Sequence, residues 1–199
     1  MIGVWRAPER MNNAPAWLVQ PTTFMDVACF GETGVIATRR DETGKPTPLP
    51  LGIVTAPRDT PGAVPVAELA QSGNRTLAFG GPMVPRQAFP PGAEQHDRPH
   101  FKTADGVVDT GYPCRADGDA RTLTLSGPPP GIAGVGGYRF GLRDMQRLVG
   151  GFDGESRIAA LPDSFSGHRL IGASDDKQGL RDVLIRHGVN PLVADAFGA

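Results

Sequence analysis

Short apolar runs separated by glycine and proline fill the first 110 residues of the chain. Residues 1–15, broken by Pro8, Asn12, Asn13 and Pro15, predict irregular structure. Strand-like runs then follow at Ala16–Gln20, Phe24–Phe30, Val35–Thr38, Gly52–Thr55, Val64–Leu69, Thr76–Phe79 and Gly106–Asp109. Proline cannot donate to a central ladder and glycine permits tight turns, so this punctuation predicts a small, barrel-like all-β part. Asp41–Pro50, with three prolines, is a predicted loop, and Pro82–His100, with five, a predicted excursion.

The periodicity changes after residue 110. Arg121–Ser126 alternates Thr and Leu and predicts a hairpin strand whose partner precedes the Asp117-Gly118 turn. Pro128-Pro129-Pro130-Gly131 then interrupts regular structure. Leu142, Met145, Leu148 and Val149 share one helical face, as do Leu180, Val183, Leu184 and His187. Ser156–Leu161 and His168–Ala173 read as strands between these helices. Gly188 suits a C′ position, and Asn190 with Pro191 starts a last short helix. The fold class expected is α+β: a β-barrel-like part over 1–112 and an α+β part over 113–199. The break falls somewhere in 112–130, and no internal repeat is visible.

Composition tests this picture, because the chain carries 27 glycines and 20 prolines in 199 residues. Together these are about twice the usual share and bring disorder to mind. Disordered chains pair a shortage of apolar residues with a high net charge. The net charge here is −1 and 39% of the residues are hydrophobic, so the glycine and proline belong to turns of a folded chain. A near-neutral chain offers no global field for nucleic acid or an anionic membrane. No apolar run approaches the length of a membrane span. The N-terminus lacks the order of charges and apolar residues of a signal peptide. Cys29 and Cys114 are widely spaced and read as free thiols of a cytoplasmic protein.

Several familiar chemistries find no footing. No GxxxxGK[ST] loop is present, and the glycines of 134–137 do not sit in a strand–GxGxxG–helix register. His96 and His100 have HxxxH spacing, but Pro99 opposes the helix that would make them metal ligands. Ser164 and Ser166 lack a nucleophile elbow.

One ordered set of segments is more informative. Gly127 to Gly141 resembles, without a gap, a Gly-Arg-x-Asp-x-x-Ile-Lys-x-x-Gly-[Tyr/Phe]-Arg-Ile-Glu motif of the adenylate-forming (AMP-binding, acyl-CoA synthetase-like) superfamily. The matches are Gly127, Gly137, Tyr138 and Arg139. Asp109-Thr110-Gly111-Tyr112 is similar to the family's Thr-Gly-Asp segment. Phe30-Gly31-Glu32-Thr33-Gly34 is similar to Tyr-Gly-x-Thr-Glu. Leu161-Pro162-Asp163 with Gly167-His168-Arg169-Leu170 resembles Pro-Asp…Gly-x-Arg-Val. The four segments stand in family order over about residues 24–190.

The resemblance implies the tail of a large N-terminal domain, ending in a β-barrel subdomain, followed by a mobile α+β C-terminal lid. It implies an acid–thiol ligase activity, in which a carboxylate is activated as acyl-AMP and passed to coenzyme A. ATP or AMP, Mg²⁺ and coenzyme A are the implied cofactors. Thr33, Asp109 and Thr110 are the implied nucleotide contacts, and Gly136, Gly137 and Tyr138 the implied border of a channel for the thiol donor. A separate chain supplying the missing N-terminal domain, or a homo-oligomer, is the implied partner.

The departures from the family pattern are as specific as the matches. The ribose-binding Asp is replaced by Tyr112, and the magnesium-holding Glu by Gly34, with Glu32 two residues earlier. The hinge segment carries Pro128 and Pro130 where the family has Arg and Asp, and proline fixes φ. No lysine follows Lys177, although the family keeps one near the end of its lid to stabilise charge on the phosphate oxygens. No catalytic residue is therefore assigned. The chain by itself is expected not to adenylate. A non-catalytic interaction subunit and an unrelated β-rich binding module are the alternatives.

Overall fold

The computed structural model describes residues 1–18, 23–30, 33–56, 61–85, 102–104, 106–136, 138–163 and 166–198. It divides into two compact units, Met1–Pro130 and Gly131–Ala199. The break falls at the end of the proline run. The strand pair on either side of the Asp117-Gly118 turn thus lies in the first unit.

The first unit contains two sheets. In the smaller, β2 (Met25–Cys29) lies between β1 (Ile2–Trp5), which runs parallel to it, and β3 (Val35–Arg39), which runs antiparallel. Strand β1 replaces the irregular start expected from the sequence. Its partner is more than 20 residues away, and a four-residue run carries little periodicity. A 3-10 turn over Pro8–Asn13 follows and buries Met11. The strand expected at Ala16–Gln20 does not form over its described residues 16–18; the Trp17 N–H instead donates to the Gly44 carbonyl at 2.8 Å.

The inner face of this sheet is built around a buried charge. Asp26, fully buried, accepts from Arg40 Nε at 2.8 Å, from Arg40 Nη2 at 3.1 Å and from Trp5 Nε1 at 2.7 Å. Arg40 Nη1 donates onward to the Pro15 and Gly44 carbonyls, and its guanidinium lies 4.1 Å from the Phe24 ring centre. One ion pair thereby joins β1, β2, the end of β3 and two loops. Four guanidinium hydrogen bonds, two of them to the carboxylate, compensate the burial, the condition under which a buried pair is tolerated.

The larger sheet has seven strands: β4 (Leu49–Pro50), β5 (Gly52–Ala56), β6 (Val64–Gln71), β7 (Thr76–Gly80), β8 (Lys102–Ala104), β9 (Val107–Asp117) and β10 (Thr122–Leu125). The order is β4-β10-β9-β7-β6-β5, with β8 also on β9. Its edges, β4 and β5, are consecutive in the chain with only Leu51 between them. Gly52 takes φ +101° at that corner, a value open to glycine. The edges are joined covalently and not by a ladder, so the expected barrel is not closed. Leu69, Leu77, Phe79, Val108, Tyr112 and Leu123 fill the core.

The second unit is a four-stranded antiparallel sheet, β12 (Tyr138–Gly141), β11 (Ile132–Val135), β14 (Gly167–Ala173) and β13 (Arg157–Asp163), in that order. Three helices accompany it: α1 (Leu142–Asp153), α2 (Lys177–Arg186) and α3 (Pro191–Ala194). Helix α1 runs four residues beyond the expected Val149. Gly154 closes it in the left-handed conformation, its N–H donating to the Gly150 carbonyl. Asp176 caps α2 and Asn190 caps α3 through side-chain acceptance from Gly179 and Leu192 N–H groups. Met145, Val149, Leu170, Leu184 and Phe197 form the core. Among the described residues, no helix is long and apolar enough to cross a membrane.

Two stability changes are expected. Asp26→Ala leaves the Arg40 guanidinium buried without its counter-charge and should cost about 3–5 kcal/mol, read as a lower denaturant midpoint. Gly172 lies against the buried Phe197 ring, which a β-carbon would strike; Gly172→Ala should cost about 1–3 kcal/mol by overpacking in the same measurement.

Candidate functional site

Two of the sequence segments meet in the first unit. Phe30, at the end of β2, tilts onto Phe79 of β7 at 4.9 Å and meets the Tyr112 ring of β9 edge-on at 5.5 Å. The hairpin that leads to β3 is closed by Phe30 N–H donating to the Gly34 carbonyl, and the Thr33 N–H donates to the Phe30 carbonyl. Phe30–Gly34 and Asp109–Tyr112 are thus brought together by aromatic packing across about 80 residues of chain. Gly31 and Glu32 lie outside the described residues.

Asp109 to Tyr112 forms a bulge. Thr76 of β7 pairs with Pro113 and Ala78 with Asp109, so four residues of β9 span what two of β7 do. Gly111, at φ +71°, supplies the positive dihedral that such an insertion needs. Asp109 Oδ1 closes the bulge, accepting from the Gly111 N–H at 2.9 Å and from Thr76 Oγ1 at 2.6 Å. Among the described residues, Asp109 Oδ2 takes no hydrogen bond. Thr110 is buried; its hydroxyl donates to the Leu77 carbonyl at 2.7 Å and accepts from the Tyr112 N–H at 3.3 Å. Tyr112 is a core residue, 2% exposed.

Thr33 and Gly34 open onto a cavity of about 720 Å³ between β3 and β5–β6, with Val35, Val54, Val66 and Met83 among its walls. This is the feature that strand-by-strand reading missed. Its lining comes from β2, β3, β5, β6, β7 and the turn after β7, joined only by tertiary structure, and only the apolar outward positions of β3 hint at it.

In the second unit, β11 and β12 form a hairpin in which Val135 faces Tyr138. Gly136 follows Val135 out of β11, at a position where hairpin connections favour positive φ. Gly136 takes φ +55°, and a β-carbon there would meet open space. Gly137 lies outside the described residues. Tyr138 is 54% exposed and stacks on Phe140 at 6.4 Å. Gly134 serves a different end. Its carbonyl lies 3.0 Å from where a β-carbon on Gly167 would stand, so Gly167, at φ +93°, lets β14 approach β11 closely. His168 Nδ1 sits against the Gly134 backbone, and the single Ser166 Oγ hydrogen lies within reach of two acceptors, Asp163 Oδ1 and the His168 carbonyl. These three side chains lock a turn and do not form a nucleophile–base pair. Pro128 and Pro130 end the first unit, with Pro129 buried between them.

The described residues contain no group of three or more His, Cys, Asp or Glu that could hold a metal ion.

Solved structures share this architecture. The chain is similar to the amide bond synthetase McbA of Marinactinospora thermotolerans, at 18% identity and a TM-score of 0.55, over 86% of this chain and 36% of that one. It is also similar to a malonyl-CoA ligase in a ternary product complex with methylmalonyl-CoA and AMP, at 16% identity and a TM-score of 0.54, over 96% of this chain and 49% of that one. The chain has the fold of the C-terminal portion of adenylate-forming enzymes. It spans between a third and a half of the length of these structures. No protein-family model matches the sequence, and a search of curated proteins finds no match.

One reactivity follows from the site's burial. Cys114 lies beyond the bulge on β9, and burial pushes its thiol up from the ordinary range, with the charge of Asp109 adding to the effect. A thiol held neutral stabilises the fold below the unfolded thiol's pKa, and this contribution is lost as pH rises through the folded value. Alkylation of Cys114 by iodoacetamide near the unfolded thiol's pKa should therefore be at least about tenfold slower in the folded chain than in denaturant. Peptide mass spectrometry reads the difference.

Proposed function

We propose that the chain is the C-terminal part of an acyl-CoA synthetase-like, AMP-forming acid–thiol ligase that keeps a surface for the thiol donor and has lost the means to adenylate by itself. The observation that carries this reading is the glycine turn of the second unit, open around Gly136 and followed by the exposed Tyr138, on a fold shared with a ligase that binds methylmalonyl-CoA and AMP. Gly136, Gly137 and Tyr138 would border the channel for the pantetheine arm of coenzyme A. An open glycine turn lets backbone approach a thin ligand, and the Tyr138–Phe140 stack gives it an apolar wall.

In the first unit, Asp109 would approach the nucleotide through its unengaged Oδ2, which can accept from a hydroxyl. Thr33 would reach it from the cavity wall. Thr110 would act beneath them, holding β9 to β7 through Leu77. Bound ATP would supply the α–β phosphoanhydride whose cleavage releases pyrophosphate. The chain's own residues would orient the nucleotide and exclude water; the reading that it does not adenylate by itself draws on Gly34 and Tyr112 standing where the resembling family has carboxylates. Pro128 and Pro130 would restrain backbone rotation at the hinge position. Cys29 and Cys114 are not joined in a disulfide, which accords with a cytoplasmic setting. A second reading, a non-catalytic interaction subunit, draws on the exposed apolar positions of β1 and β3.

Pyrophosphate exchange by the purified chain with ATP, Mg²⁺ and mixed carboxylic acids should not exceed the blank; clear exchange would overturn the inactive-alone reading. Coenzyme A titrated calorimetrically should bind, and Tyr138→Ala should weaken binding about fivefold, the worth of one aromatic contact of about 1 kcal/mol. Absence of any heat with the parent chain would remove the thiol-channel assignment.

A further inference from the structure

The sheet of the second unit is two hairpins joined along a narrow seam. Inside each hairpin the ladder is continuous, from Ile132 opposite Gly141 to Val135 opposite Tyr138, and from Arg157 opposite Ala173 to Asp163 opposite Gly167. Between β11 and β14, among the described residues, the register is the single pair Val135 and Gly167. On one side of that pair the Gly136 N–H donates to the Ser166 carbonyl at 3.0 Å. On the other side the register sets Gly134 opposite His168, and there an imidazole takes the place of the ladder. His168 Nδ1 lies 3.3 Å from the Gly134 nitrogen and 3.2 Å from the Gly134 oxygen. Gly134 and Gly136 are two residues apart, about 7 Å along a strand. A side chain that titrates thus helps to seat the glycine turn.

One ring nitrogen cannot serve both groups of Gly134 at once. An N–H needs a lone pair and a carbonyl needs a hydrogen, and Nδ1 carries one or the other. Neutral His168 with its proton on Nε2 accepts from the Gly134 N–H. The imidazolium can only donate, so it keeps the carbonyl and gives up the N–H. Gly134 is half-buried, and a half-buried N–H without its acceptor must open toward water to regain one. Protonation therefore loosens the seam at β11. The charged groups in the register around the ring are Arg139, opposite Gly134 on β12; Asp163 on β13, beside the cross-strand neighbour Pro162 and bonded to Ser166; and Arg169, next along β14. We propose that His168 is a positioning residue for the Gly136 turn. While neutral it seats β11 on β14 and presents the turn to the thiol donor; when protonated it releases the Gly134 N–H, and the turn loses that seating. The inference rests on the thiol-channel reading for its consequence, and deepens it by naming what regulates the turn.

Nuclear magnetic resonance of the nitrogen-15-labelled full chain tests this without a ligand. Ring spectra should show His168 Nδ1 bare at pH 8 and protonated at pH 5. Over the same range the Gly134 and Gly136 amide resonances should move along one curve with the ring. Gly134 hydrogen exchange, corrected for the intrinsic effect of pH, should quicken in acid at least about threefold, the low end of what one hydrogen bond is worth. His168→Asn puts a neutral amide at the same place, and its Gly134 and Gly136 resonances should not move with pH. His187→Asn, which removes the histidine against Phe152, should titrate as the parent does. Pantetheine, which has no group that changes charge in this range, reads the consequence: the parent should bind it about threefold more weakly at pH 5 than at pH 8, and His168→Asn equally at both. Nδ1 protonated at pH 8, unmoved glycine amides in the parent, or the same titration in a folded His168→Asn chain would each overturn the positioning role. Equal pantetheine binding by the parent at both pH values would overturn the control of the turn. No pantetheine binding at any pH would remove the thiol-channel reading, and the ring and amide resonances would still decide the role of His168.

Discussion

Asp26 has no exposure to solvent, and much of the first unit is arranged to make that tolerable. A lone buried carboxylate would cost several kcal/mol in desolvation. Arg40 meets it with two charge-assisted hydrogen bonds, and Trp5 with a third. Arg40 must then be held in turn, by the Pro15 and Gly44 carbonyls and the Phe24 ring. The network fixes which side of β2 and β3 points inward. With a period of two, that choice sends Met25, Val27, Val35 and Ala37 to the other face. The buried ion pair and the exposed apolar face are therefore two consequences of one register. An apolar face obtained in this way is a standing cost in water until something covers it.

The bulge at Asp109–Tyr112 shows how a resemblance in sequence acquires a structural meaning. Four residues fit into a space for two because Gly111 accepts a positive φ and Asp109 satisfies the N–H that the bulge frees. A bulge re-aims side chains, which is why such features sit beside functional sites. Here it sends Tyr112 into the core against Phe30 and leaves one oxygen of Asp109 unengaged. Tyr112, which stands where the resemblance implies a ribose-binding carboxylate, is thus part of the packing. The proposed nucleotide contacts lie to one side of it, at Asp109, and across it, at Thr33 on the cavity wall.

The second unit is more self-contained in its logic. Glycine stands at the hairpin turn, at the close approach of β11 to β14 and under Phe197. Of these, only the turn position is exposed. That distinction separates Gly136, where a β-carbon would meet open space, from Gly167 and Gly172, where one would strike a neighbour.

Local patterns announced most of the elements. The Thr/Leu alternation of β10 and the spacing of Met145 and Val149 on α1 record burial that repeats every second residue or every third and fourth. The Asp176 and Asn190 caps depend on neighbours two or three residues away. Such interactions are written within a window of a few residues, and they determined the α+β class, the helix starts and the change of character near the proline run. Tertiary structure alone decided the rest. Parallel pairing of β1 with β2, the corner at Gly52 in place of a closed barrel, the meeting of Phe30 with Tyr112 and the cavity between β3 and β6 all join residues far apart in the chain. Their energies come from burial and register, which a local pattern of apolar and polar residues permits but does not choose.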